Sequence, residues 1–234
     1  VITDDEALLN ELFVRMNSSK PLTGAEIRNA MKGKIPKLIK KISKHVFYTS
    51  NINFTTKNGQ DLNSAAKLLL IEYRGKLVDT KRKNLDELVA EHSSMSESTY
   101  ISDMISESQT DQTSIDRAID RVENNLFTMS EIFIERDLLL KKQGVLTIYY
   151  WFVRNYKNEY KSVIREFLLF FENRLKENKE ILRSGEEKPD DKLSYYITLS
   201  RSVNDQKSLN DMYAILIEYF EDYFEKHYLF KNKK

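Results

Sequence analysis

Residues 13–30 read FVRMNSSKPLTGAEIRNA: the end of one helix, a polar turn and the start of a second helix. Pro21 pushes Lys20 out of the α region, so the first helix cannot continue through the turn. Thr23 stands three residues before Glu26, which is the spacing of a capping box. The threonine hydroxyl can accept from the Glu26 N–H while the carboxylate reaches back to the N–H of Thr23. Upstream, Leu8, Leu9, Leu12, Phe13 and Met16 recur at helical spacing behind an acidic first turn, which predicts a helix over 4–16. Downstream, the capped helix is expected to run to about Lys32, ahead of Gly33. With only 6 Gly and 3 Pro among 234 residues, the chain favours long helices over many-turned β structure. The expected fold is mainly α, an irregular multi-helix bundle.

The helical period continues along the chain. Ile35, Leu38, Ile39, Ile42 and Val46 form one stripe of a helix expected over 35–47, and Lys37, Lys40, Lys41 and Lys44 form the opposite stripe. Residues 48–60 are polar, with Asn58 and Gly59 as a turn signal and 51–55 as a short strand that has no evident partner. Asp61 reads as the N-cap of a helix through Ala65, Leu69 and Tyr73 to about Lys76. Another helix is expected over 83–92, with Leu85, Leu88 and Val89 on its apolar side. The serine-rich segment 93–114 reads as a connection. Ser114 then reads as the cap of a long periodic segment, Ile115, Ile119, Val122, Leu126, Met129 and Phe133, that reaches about Lys142 before Gly144 breaks it. The aromatic-rich remainder predicts helices over 145–156 and 160–183, an exposed loop over 184–192, and a closing helix through Tyr213, Leu216, Ile217, Phe220 and Phe224. The resulting division is 1–33, a basic helical region 34–92, the connection 93–114, and an aromatic-rich helical bundle 115–234.

The formal net charge of +1 hides an asymmetry. Residues 1–90 carry 16 Lys and Arg against 10 Asp and Glu, and between Arg28 and Lys83 there are 14 basic residues opposed only by Asp61, Glu72 and Asp79. Such an excess attracts polyanions. Lys37, Lys40, Lys41 and Lys44 span roughly 10 Å of helix axis, enough for about two or three phosphates. A solvated face and a membrane surface are the competing readings, although the helix lacks the Trp or Phe anchors of an interfacial helix.

Several chemistries find no support. There is no cysteine, which removes disulfides and thiolate sites and fits a reducing cytoplasm. The apolar runs fall far short of the roughly 20 residues that span a bilayer. His45, His92 and His227 stand in no metal-binding spacing, and there is no Walker A loop, GxGxxG turn or GxSxG elbow. Glu72, Tyr73 and Arg74 faintly resemble a nuclease carboxylate beside a base, but mid-helix they are expected to be surface charge.

FVRMNSSKPLTGAEIRNA also resembles the F-x-R-x-N-S…L-(T/S)-x-x-E-(I/L)-R-N-A signature of the GmrSD-type restriction endonuclease family, in its ParB-like nuclease/NTPase domain. Phe13, Arg15, Asn17, Ser18, Leu22, Thr23, Glu26, Ile27, Arg28, Asn29 and Ala30 match. Ser19 and Lys20 depart from it, where relatives carry a glycine-rich turn. The resemblance implies that residues 1–33 are a helical remnant of an upstream α/β ParB-like domain. In the family a more N-terminal D-G-Q-Q-R motif carries the chemistry, and that motif does not occur in this sequence. Val1 in place of a methionine is read in the same sense, as the start of a fragment.

By resemblance, Arg15 and Asn17 would face that upstream site, with Ser18, Glu26, Arg28 and Asn29 in support. Arginine offers a planar fork of donors, and asparagine both donates and accepts. The plainer reading is that Asn17 and Ser18 stop one helix while Glu26 and Arg28 cap and decorate the next. The resemblance further implies a prokaryotic, cytoplasmic defence protein that acts on DNA. Its partners would be nucleic acid and the upstream domain. Any nucleotide or divalent metal would belong to the full-length protein, with no cofactor in this part. With no complete catalytic set, this polypeptide is expected to be inactive alone. The alternative is a helical protein-interaction or scaffold module whose basic face is merely solvated.

Overall fold

A computed structural model describes residues 21–92, 108–156, 160–185 and 187–229. Among them are nine α-helices and no strand. They are α1 (Gly24–Ala30), α2 (Lys34–Ser43), α3 (Gln60–Arg74), α4 (Arg82–Glu91), α5 (Ser108–Ile132), α6 (Gln143–Asn155), α7 (Lys161–Ser184), α8 (Asp191–Leu199) and α9 (Gln206–Phe224). The protein is an irregular multi-helix bundle. The helix expected over 4–16 lies outside the described residues.

The capping box forms as the sequence predicts. The Thr23 N–H donates to Glu26 Oε2 at 2.8 Å, and Thr23 Oγ1 accepts from the Glu26 N–H at 3.3 Å. Helix α3 then runs through the middle of the bundle against α2, α5 and α6, and every residue from Ser64 to Glu72 is buried. Around it the aromatic residues of the last third close one continuous core. Phe152 of α6 lies 5.8 Å from Phe167 of α7 and 5.1 Å from Phe220 of α9, ring centre to ring centre. The second pair is edge-to-face, a contact that adds to the burial of the rings themselves.

Several local expectations are corrected. Helix α2 stops at Ser43 rather than near 47, because the Phe47 N–H donates to Nδ1 of His45 at 3.1 Å. The chain then enters a π-type turn, Phe47–Asn51. This sends Phe47 and Tyr48 into the core and leaves Val46 50% exposed, off the stripe to which its spacing assigned it. Residues 51–55 form no strand; Asn51 instead donates to the backbone oxygen of Phe133 at 2.6 Å. Asp61 sits in the first turn of α3, not at its cap, which is Gly59 at φ 69°. Glycine adopts that left-handed angle most readily, and a side chain there would meet Ala25 Cβ of α1 at 3.2 Å.

Ser114 lies inside α5, and α5 ends at Ile132 rather than near 142. The buried Asp137 carboxylate takes over there, accepting from the N–H groups of Ile134 and Leu139 at 3.1 Å each and from Arg165 at 2.9 Å. Gly144 breaks nothing: it is the second residue of α6, where a Cβ would meet Val203 at 3.1 Å. Helix α8, unforeseen in the sequence reading, is capped by Asp190, which accepts from the N–H groups of Lys192 and Leu193.

The largest correction is Glu72. Far from being surface charge, its side chain is 0% exposed. Oε2 accepts from Arg121 Nε of α5 at 2.9 Å, and Oε1 accepts from Tyr150 and from Arg154 Nε of α6 at 2.8 and 2.6 Å. Removing one member of a buried ion cluster strands the others, at a cost of about 3–5 kcal/mol. Glu72→Ala is therefore expected to lower stability by about that amount in equilibrium urea unfolding, whereas a loss below about 1 kcal/mol, typical of a surface pair, would contradict the clamp.

Candidate nucleic-acid interface

Helix α2 separates its faces as expected. Ile35, Ile39 and Ile42 are buried, and Leu38 packs partly against the core. Lys37, Lys40, Lys41 and Lys44 are all exposed. The four are not equivalent. Lys41 Nζ reaches Glu123 Oε1 of α5 at 2.6 Å, as Lys34 Nζ reaches Asp116 Oδ1 of α5 at 2.6 Å. Lys37, Lys40 and Lys44 pair with no group among the described residues and stand at positions i, i+3 and i+7 of one face. The neighbouring His45 adds no cation at neutral pH, because burial holds its imidazole below the usual range against the pull of Glu123.

At the start of α2, a cavity of about 360 Å³ is lined by Asn29, Met31, Lys32, Gly33, Pro36, Lys37 and Lys40. The structure thus brings one of the motif residues, Asn29, to two of the unpaired lysines. Asn29 Oδ1 is buried without a hydrogen-bond partner, a cost that a donor from outside would relieve. Glu26 is occupied by the capping box. Arg28 does not decorate its helix. It is 2% exposed and bridges α1 to α4 and α3 through Asp86 Oδ1 at 2.6 Å and Asn63 Oδ1 at 2.9 Å. Arg15, Asn17 and Ser18 lie outside the described residues.

Much of the basic excess is neutralised within the fold. Arg28 and Arg82 share Asp86, Arg74 pairs with Glu91, Lys83 with Glu87, and Lys81 with Asp205. Lys67, missed in the sequence reading, is buried at 5% exposure and donates to Asn204 Oδ1 at 2.7 Å. The signal for it was present: Lys67 and Glu72 are the two charges in the otherwise apolar run from Ala65 to Glu72. Among the described residues no group of His, Asp and Glu is arranged to hold a metal ion, and no helix is long and apolar enough to cross a membrane. No family model, curated protein or solved structure matches the chain.

Lys67 makes the environment behind α1 testable. Burial, helped by the Arg28 charge, pulls its ammonium from 10.5 down to about 8. Between those values the unfolded chain binds more protons than the folded one, so stability should rise with pH from about 8, by about 2 kcal/mol in all. Above pH 10 the trend should reverse, because burial raises the phenols of Tyr48, Tyr149, Tyr150 and Tyr196 and the unfolded chain ionises first. Lys67→Met should abolish the rise and increase the denaturation midpoint at pH 7. A flat profile for the unaltered protein from pH 8 to 10 would show that Lys67 is not desolvated.

Proposed function

We propose that this chain is the helical C-terminal part of a prokaryotic, restriction-like defence protein. In this reading it completes an upstream nuclease/NTPase domain and binds or positions DNA through the outer face of α2. The observation that supports the reading is the row of Lys37, Lys40 and Lys44, left unpaired while Lys34 and Lys41 of the same helix are tied to α5. Lysines in a row on a rigid helix meet successive phosphates as point charges, and the gain comes from releasing the counterions of the nucleic acid. Asp116 and Glu123 of α5, paired with Lys34 and Lys41, border the face with negative charge and would keep a phosphate backbone on its outer side. The nucleotide and divalent metal of such chemistry would bind the upstream domain. The alternative, a helical interaction or scaffold module, draws on Phe127, Ile134 and Leu138, which are 60%, 56% and 76% exposed.

Duplex DNA binding measured by fluorescence anisotropy across a salt series separates the two readings. The unaltered protein should show a steep fall in affinity with salt. Replacing Lys37, Lys40 and Lys44 together with Gln should flatten the log–log slope by about 2 to 3. Lys41→Gln should change the slope less and cost under about 1 kcal/mol of stability, since it breaks only an exposed pair. An unchanged slope in the triple variant, or no binding at low salt, would favour the interaction module.

A further inference from the structure

Glu72 is surrounded by more donors than it needs. Arg121 uses Nε on Oε2 and Nη2 on the backbone oxygen of Glu72, at 2.9 and 2.8 Å. Tyr150 already donates to Oε1, so this buried carboxylate would have a partner on each oxygen without Arg154. Yet Arg154 adds a second guanidinium at 2.6 Å, and two cations share one anion. Arg154 is only 27% exposed and Arg121 42%. Two guanidinium groups on one carboxylate leave a net positive charge at a partly exposed site.

The free ends of the two arginines are also fixed in place. Arg154 lies over the Trp151 ring, 4.5 Å from its centre, and its Nε bond to Glu72 sets the rotation of the plane. Its Nη1 reaches only Asn155 Oδ1, at a long 3.4 Å. Arg154 Nη2 and Arg121 Nη1 have no partner among the described residues. A guanidinium anchored at Nε and stacked on an aromatic ring keeps its Nη edge available for two oxygens of one ligand.

We propose that Arg121 and Arg154, held by Glu72 and Trp151, form a preorganised seat for a small oxyanion, a phosphate or carboxylate group. The oxyanion would accept from the free Nη groups, replace the weak contact to Asn155 and neutralise the excess cation. The seat is distinct from the α2 lysines and does not depend on the function proposed for them.

Trp151 is the only tryptophan, so its fluorescence reports on the seat directly. The full chain is titrated with sodium phosphate, and separately with sodium acetate, at ionic strength held constant with sodium chloride. Phosphate or acetate should give a saturable change with a midpoint in the millimolar range, and the more effective one identifies the preferred group. Arg154→Lys keeps a positive charge beside Glu72 but lacks the fork, and should weaken the midpoint by about tenfold or more. The triple replacement of Lys37, Lys40 and Lys44 with Gln should leave it unchanged. A response to both salts no different from that to chloride, or an equal midpoint in Arg154→Lys, would overturn the proposal. Should that variant not fold, the arginine Nε–H resonances of the unaltered, ¹⁵N-labelled protein decide: shifts of two such resonances with phosphate or acetate sustain the seat, and none with either removes it.

Discussion

Helix α3 is buried from Ser64 to Glu72, and a helix without a solvent face must find partners inside the fold for every polar group it carries. Three such side chains set the arrangement around it. Ser64 accepts from Tyr48 of the turn after α2 at 3.0 Å, Lys67 donates to Asn204 of the connection between α8 and α9, and Glu72 gathers Arg121 of α5 with Tyr150 and Arg154 of α6. Apolar packing alone tolerates some sliding of one helix along another. Hydrogen bonds to fixed points on α3 do not, so these contacts select one register among the well-packed ones. Cohesion comes from the aromatic core, and alignment from the few polar groups buried in α3.

The charge asymmetry along the sequence has its counterpart in this alignment. The basic first part and the acidic remainder face each other: Lys34 meets Asp116, Lys41 meets Glu123, and Lys81 meets Asp205. Each of these pairs is partly exposed and contributes little by itself. Together they place opposite charges across the contact and disfavour alternative packings that would bring like charges together. A local excess of lysine in the linear sequence is therefore only partly an outward signal. The outward part is what remains after the fold has paired the rest, and on α2 that remainder is three lysines out of a longer basic run.

Periodicity made the bundle legible, because apolar residues at spacing 3 and 4 identify a helix wherever it packs. The stripes of α2, α5, α6, α7 and α9 and the Thr23–Glu26 capping box could all be read from spacing. Helix ends were read less well, since they depend on groups far away in sequence. The chain turns after Ser43 because of the His45 ring, and after Ile132 because Asp137, Arg165 and Asn51 satisfy a loop that local propensity would have left helical. Serine, aspartate and glycine misled where a plausible cap stood inside a longer helix, as Ser114 and Gly144 do. At the candidate interface, the four lysines were visible as a face, but the internal partner of Lys41 was not. Pairing across 82 residues, as between Lys41 and Glu123, leaves no local trace. Glu72 was misread for the same reason: its environment is made by residues 49 to 82 positions away.

The cations left over fall into two physical classes, and the difference bears on what each can recognise. Lys37, Lys40 and Lys44 are long, mobile side chains in water, where screening limits each contact and geometry is loose; they suit a repeating backbone charge and carry little discrimination. Arg121 and Arg154 are anchored on a buried carboxylate, one of them stacked on an indole, with part of their surface away from solvent. Their orientation is settled before any ligand arrives, so little ordering remains to oppose binding. A fold with both classes, the lysines unpaired and the arginines sharing one carboxylate, would attract a polyanion over distance with the first and hold a particular group with the second. The two stand on different elements, the lysines on α2 and the arginines on α5 and α6.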